Sequence, residues 1–116
     1  MSTNDKRLKA TFYKSASGKE PVRDWLKVLL SENRKIIGGD IKTVEFGWPV
    51  GMPVCRPLGR GLYEVRSSLT RGEISRVIFC IEGNIMVLLH GFIKKTQKTP
   101  QKELDLAITR KKEIYR

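Results

Sequence analysis

Residues 54–93 read VCRPLGRGLYEVRSSLTRGEISRVIFCIEGNIMVLLHGFI, and the fold turns on how this stretch is parsed. Runs rich in β-branched and aromatic residues extend over Val54 to Leu58, Leu62 to Leu69, Ile74 to Ile81 and Ile85 to Ile93. Gly59-Arg60-Gly61, Thr70-Arg71-Gly72 and Glu82-Gly83-Asn84 separate them. Connections this short between strand-like runs are hairpin signals, because glycine and asparagine accept the positive φ that tight turns need. The stretch therefore reads as an antiparallel meander. From Ile85 to Leu89 the last run is apolar at every position, which implies a central strand or one covered on both faces.

Upstream, Leu8 to Tyr13 ends in aromatics and reads as a first strand. Pro21 is placed to open a helix, where its missing N–H costs nothing. Val22, Trp25, Leu26, Leu29 and Leu30 then follow at helical spacing. Ser31 and Asn33 are expected to break this helix and cap the next. A second helix from about Asn33 to Phe46 carries Ile36, Ile37, Ile41 and Val44 on one stripe and ends at Gly47 and Pro49. Gly38 and Gly39 inside it mark either a bend or a close approach by a neighbour. Trp25 and Trp48 are expected to pack helix against sheet.

Downstream, Thr99 and Pro100 suit a cap and a first helical residue. The helix they start runs to about Tyr115, with Leu104, Ala107, Ile108, Ile114 and Tyr115 as its apolar face. The resulting order, β-α-α-β-β-β-β-α, predicts an α+β fold: an antiparallel sheet with helices packed on one face, and residues 1–116 forming one domain.

Composition narrows the function. The 116 residues carry 23 Lys and Arg against 12 Asp and Glu, a formal net charge of +11. Such an excess on a short chain makes a polyanion the first candidate partner. No apolar run approaches the roughly 20 residues of a membrane helix. The polar Met1 to Ala10 segment lacks the core of a secretory signal, so a cytoplasmic protein without membrane association is expected. Cys55 and Cys80 read as buried thiols. Two separated cysteines and the single His90 do not make a closed zinc site. Phosphate-cradling glycine motifs are absent, and no cofactor is expected.

Alternation along the strands predicts where chemistry sits. Glu64, Arg66 and Ser68 share one face of their strand, while Tyr63, Val65 and Leu69 take the core side. Arg76 points with Ile74 and Ile78, and His90, Phe92 and Lys94 fall together on the last strand. In simple register, Arg66, Arg76 and the His90 to Lys95 segment converge near one end of an open sheet face. Cations for phosphates and a ring for stacking are what single-stranded RNA requires. Each residue also has an ordinary reading. The arginines can pair with Glu64 or Glu73, Lys94, Lys95 and Lys98 can be a solvated loop run, and His90 can be a satisfied, partly buried histidine.

Several segments together resemble a known family: Gly-Leu-Tyr-Glu-Val-Arg (61–66), Arg-Val-Ile-Phe (76–79), Leu-Leu-His-Gly-Phe-Ile-Lys-Lys-Thr-Gln-Lys-Thr-Pro (88–100) and the helix around Ala107 to Arg110. In this order they are similar to the HigB-like, phage-derived toxins of the RelE/ParE superfamily of type II toxin–antitoxin systems. The resemblance implies the same element order and an mRNA endoribonuclease acting in the ribosomal A site. It also implies a cognate antitoxin, commonly with a helix-turn-helix domain, whose complex with the toxin represses its own promoter.

Carried over by position, Arg66 and Arg76 are the strand cations, and Lys94 and Lys95 are the basic residues after the last strand. The tyrosine of the RelE C-terminal segment has no counterpart between Gln97 and Leu104, and His90 is the only histidine. The catalytic candidates are Arg66, Arg76, Lys94, His90 and Glu64. Arg66 and Arg76 act as phosphate clamps, Lys94 or His90 moves the proton, and Glu64 is either the base or an arginine holder. The candidates for holding RNA are Lys95, Lys98, Arg60, Arg71 and Phe92. Two alternatives share the charge: a ParE-like gyrase inhibitor, and a non-enzymatic RNA- or ribosome-binding domain.

Overall fold

The computed structural model of the protein describes residues 5–94 and 98–114. Strand β1 (Lys9–Phe12) is followed by helices α1 (Pro21–Lys27) and α2 (Ser31–Gly47). Strands β2 (Cys55–Gly59), β3 (Leu62–Ser68), β4 (Ile74–Glu82) and β5 (Ile85–Lys94) come next, with a single 3₁₀ turn at Thr70–Gly72, and helix α3 (Gln101–Ile114) closes the described chain. The α+β class and the element order match the expectation from sequence. None of the described helices is long and apolar enough to cross a membrane.

The sheet has the order β1-β5-β4-β3-β2. Strands β2 to β5 form the expected antiparallel meander. Two parts of the expected architecture are corrected. First, β1 runs parallel to β5, with Lys9 opposite Ile85 and Phe12 opposite Leu88, so the sheet is mixed. Helices α1 and α2 separate β1 from the meander, so no hairpin ties β1 to a neighbour in sequence; it adds to the β5 edge, opposite the edge held by β2. Second, the helices do not share one face. Val22, Ile37, Ile41 and Val44 of α1 and α2 pack on Val65, Val77, Phe79, Met86 and Leu88. Ala107, with Leu104, Ile108 and Ile114 of α3, packs on Leu62, Ile78, Cys80, Val87 and Leu89 from the opposite side. The reason lies in β5, whose consecutive apolar residues need cover on both sides, each fully buried aliphatic side chain contributing roughly 1.5–3 kcal/mol.

Local corrections follow the same physics. The first helix stops at Lys27, and Leu30 is 61% exposed instead of joining the apolar stripe. Arg34 of α2 closes its end by donating to the carbonyls of Leu26, Lys27 and Leu29 at 3.4, 3.3 and 3.3 Å, which satisfies carbonyls the helix end leaves open. Asn33 is not a cap. It is buried in the first turn of α2, and its Oδ1 accepts from the Thr70 amide and hydroxyl, both at 3.3 Å. Ile36 lies at the exposed edge of its stripe. Helix α2 runs uninterrupted through Gly38 and Gly39, and neither admits a neighbour, since a Cβ at either would meet nothing within 4 Å. Trp48 meets Tyr63 and Phe79 edge-on, at 5.0 and 6.0 Å between ring centroids, as a core aromatic should. Both cysteines are buried free thiols. Tyr115, the last residue of the expected apolar face, lies outside the described residues.

The edge of the sheet is tied down by α2. Glu45 is buried, and its carboxylate accepts from the Ala10 amide at 2.7 Å and from Lys6 Nζ at 3.1 Å. Its carbonyl accepts the amides of Arg7 and Leu8. Bonding an amide of an edge strand to a side chain blunts that edge as a template for another chain.

Candidate functional site

The α3 side of the sheet gathers the chemistry-bearing residues into cross-strand rows. Arg56 of β2 is opposite Glu64 of β3, Glu64 is opposite Ile78 of β4, and Ile78 is opposite His90 of β5. The next row is Arg66, Arg76 and Phe92, each directly opposite the next. A third holds Ser68, Ile74 and Lys94. Facing residues in neighbouring strands lie roughly 4.5–5.5 Å apart, and successive rows about 6.6 Å apart. The predicted convergence of Arg66, Arg76 and the His90 to Lys94 segment is therefore present.

A β-bulge makes it possible. Register slips between Ile78 and Phe79, which pair with His90 and Leu88 and leave Leu89 as the extra residue. An extra residue resets the alternation of a strand. Leu89 and His90 thus both face α3, and everything after them on β5 changes side. On the opposite face Gly91 lies under Trp25, where a Cβ would come within 2.5 Å of the indole.

The rows are covered, contrary to the expected open sheet face. Glu64 and Arg76 are 0% exposed and Arg66 is 8% exposed. Glu64 accepts from Thr99 Oγ1 at 2.7 Å through one carboxylate oxygen and from Arg66 Nη1 at 3.3 Å through the other. The Thr99 hydroxyl, expected as a helix cap, thus donates to a carboxylate of the sheet and draws the start of α3 over the rows. The Arg76 guanidinium lies 5.8 Å from the centroid of the Phe92 ring, and Phe92 stacks on His90 at 5.6 Å. Burial, and after it the neighbouring Arg66, lower the Arg76 pKa, while Glu64 opposes them. A guanidinium keeps its charge under such pressure, so the cluster is a dense positive field around one carboxylate.

His90 is tied to α3 at both ring nitrogens. Nε2 lies 2.9 Å from Glu103 Oε2, and Nδ1 lies 3.3 Å from Arg110 Nη1. Arginine only donates, so Nδ1 accepts and Nε2–H donates to Glu103. Arg110 also donates to the Leu89 carbonyl at 2.8 Å and lies over the Tyr13 ring, and the Tyr13 hydroxyl bonds Glu113.

The other expected residues divide by the ends of the sheet. Lys94 is half-buried at the end of β5, level with Ile74. Arg71 is exposed in the turn that joins β3 to β4, at this same end. Lys98 is exposed just before α3. Lys95 lies outside the described residues. Arg60 does not join them. It is in the β2–β3 turn, at least about 13 Å along β3 from Arg66 by strand rise, and its carbonyl accepts from Lys111 Nζ at 2.6 Å. Sequence reasoning missed Arg56, Thr99, Glu103 and Arg110. Arg56 was findable, because Cys55 facing inward places its neighbour on the Glu64 face. Glu103 and Arg110 flank Ala107 on the inward side of α3, where charge interrupts an apolar stripe.

No curated protein shows significant similarity to this chain. Residues 24–112 match the family described as phage-derived protein Gp49-like (DUF891). The matched span begins within α1 and includes every row of the cluster and nearly all of α3. With well over half of its length matched, and with the arginine rows inside the match, the chain belongs to the phage-derived Gp49-like family, within the RelE/HigB-like toxin superfamily.

Proposed function

We propose that this protein is the HigB-like toxin of a type II toxin–antitoxin pair and that it stops translation by cutting mRNA on the ribosome. The observation that carries the reading is the Arg66–Arg76–Phe92 row, two guanidinium groups and a ring side by side on one sheet face. Family membership supports the toxin class.

Cleavage without a metal proceeds by attack of the ribose 2′-oxygen on the adjacent phosphorus. The 2′-OH proton goes to a base, the P–O5′ bond breaks, and the 5′-oxygen takes a proton from an acid, leaving a 2′,3′-cyclic phosphate. Charge builds on the phosphoryl oxygens, and fixed guanidinium groups stabilise it. Arg66, at the rim of the cluster, contacts the phosphate, with Arg56, Lys94 and Lys98 beside it. Arg76 supplies positive field from beneath. Glu64 accepts two hydrogen bonds in full burial, which supports the holding role over that of a base. The bonds at both nitrogens of His90 support a positioning role there and leave Lys94 as the proton carrier. The antitoxin covers the cationic face when bound, and mRNA and the ribosome are the targets when it is absent.

The test is induction of the protein in a translating system with transcripts mapped by primer extension. New 5′ ends within translated messages, lost in Arg66→Ala, support the reading. Intact messages together with altered plasmid supercoiling would establish the gyrase-inhibiting alternative instead.

A further inference from the structure

A groove of about 470 Å³ opens where β3 and β4 end against α2, a size within the roughly 300–1,000 Å³ range of small-molecule sites. Ile36, Met52, Val54 and Ile74 make its apolar walls. Its polar groups are few: Asp40 from α2, and Arg66, Ser67 and Ser68 from β3. Arg66 thus borders the groove and belongs to the cationic row.

Two of the polar groups are poised for a ligand. The Ser67 hydroxyl is buried and has no hydrogen-bond partner among the described residues, and neither has that of Ser75, directly opposite on β4. A buried hydroxyl without a partner loses its hydration and gains nothing in return, so its persistence beside a cavity calls for a partner. The half-buried Asp40 makes no ion pair or side-chain hydrogen bond among the described residues. Its carboxylate accepts and cannot donate.

We infer that this groove is a nucleobase subsite, adjoining the phosphate held by Arg66, that selects guanine. Apolar walls suit a planar base, with Met52 adaptable enough to lie on it. A carboxylate with two acceptor oxygens matches two adjacent donors, and guanine alone among the four bases presents these, at N1 and N2. Adenine and cytosine offer one amino group each, and uracil one imino proton flanked by carbonyls. The Ser67 hydroxyl then meets the remaining polar edge. This inference rests on the RNA-cutting reading above for its biological setting, but the binding it asserts is independent of cleavage.

The test adds GMP, AMP, CMP and UMP separately to the purified protein and follows the methyl signals of Ile36, Met52 and Ile74 by NMR. GMP is expected to shift all three and to bind at least tenfold more tightly than UMP or AMP. Asp40→Asn should weaken GMP at least tenfold, and Met52→Glu, at an exposed rim position, should weaken every base. In the translating system the wild type should show guanosine enriched at one fixed position beside its cuts, with the enrichment lost in Asp40→Asn. Equal binding of the four nucleotides, no shift of these methyls, or an unchanged cutting preference in Asp40→Asn overturns the subsite. GMP in the groove with every transcript intact upholds the subsite and defeats the nuclease reading. Transcripts cut without GMP binding do the reverse.

Discussion

Arg66 on β3 and Arg76 on β4 are direct cross-strand partners, with the Glu64 carboxylate 3.3 Å from the first guanidinium and the Phe92 ring 5.8 Å from the second. Like charges directly opposed in a sheet are destabilising. One carboxylate and one aromatic face offset the cost here, and Arg56 adds to it. A fold that holds cations together in this way is stabilised by any anion that binds between or beside them.

Polyanions should therefore raise the melting temperature. Binding to the folded state alone stabilises by about 2.7 kcal/mol at a ligand concentration 100 times its Kd. Differential scanning fluorimetry with a short single-stranded RNA should show a rise of several degrees over chloride at equal ionic strength. Arg66→Ala should lose most of that increment. Equal rises in the two proteins would place the anion site elsewhere.

Glu64→Gln should destabilise the protein by about 3 kcal/mol, the cost of leaving buried positive charge without its counter-ion. Urea denaturation followed by circular dichroism measures this. Thr99→Val removes a hydrogen bond to the same carboxylate and should cost less, about 1–2 kcal/mol. A Glu64→Gln protein as stable as the wild type would mean that other groups neutralise the arginines.

Gly91→Ala should be more harmful than its size suggests. The new methyl would lie 2.5 Å from the Trp25 ring, and a rigid indole on a short helix cannot yield without moving α1. A loss of about 1–3 kcal/mol is expected from overpacking, accompanied by a shift in Trp25 emission. Trp25→Leu in the same chain should restore part of the stability by making room.

The thiol of Cys55 is pushed up to about 11 from an ordinary 9.0, chiefly by burial and then by Glu64. A thiol whose folded pKa is raised contributes stability that is complete below pH 9 and is lost as pH rises through 9 to about 11, because only the unfolded chain ionises in that window. Burial raises Cys80 as well, which adds to the same trend. Stability measured from pH 8 to 11 should fall, and Cys55→Ser should flatten the slope. Neither thiol should react with iodoacetamide at pH 8 until the protein unfolds.

Much of this is legible in the sequence. Glycine turns and alternation located β3, β4 and β5 to within a residue or so and put Arg66, Arg76, Phe92 and Lys94 on matching faces. Local spacing carries that information. Helix ends were read less well at Leu30 and Asn33, because their environment depends on Arg34 and Thr70, partners distant in sequence or in the next turn of structure. Charge alone groups Arg60 with the cations, and strand length separates it from them.

By itself the sequence determined the element order, the strand faces and the positive charge, since turn chemistry and side-chain period act over a few residues. Tertiary structure alone decided that β1 joins β5 in parallel, that α3 closes the second face, and that the bulge at Leu89 turns His90 toward Glu103. It also decided that Glu64 and Arg76 are buried, through a Thr99 hydroxyl 35 positions away. Those outcomes depend on which remote surfaces must cover apolar area and satisfy charge, and no local pattern encodes that balance.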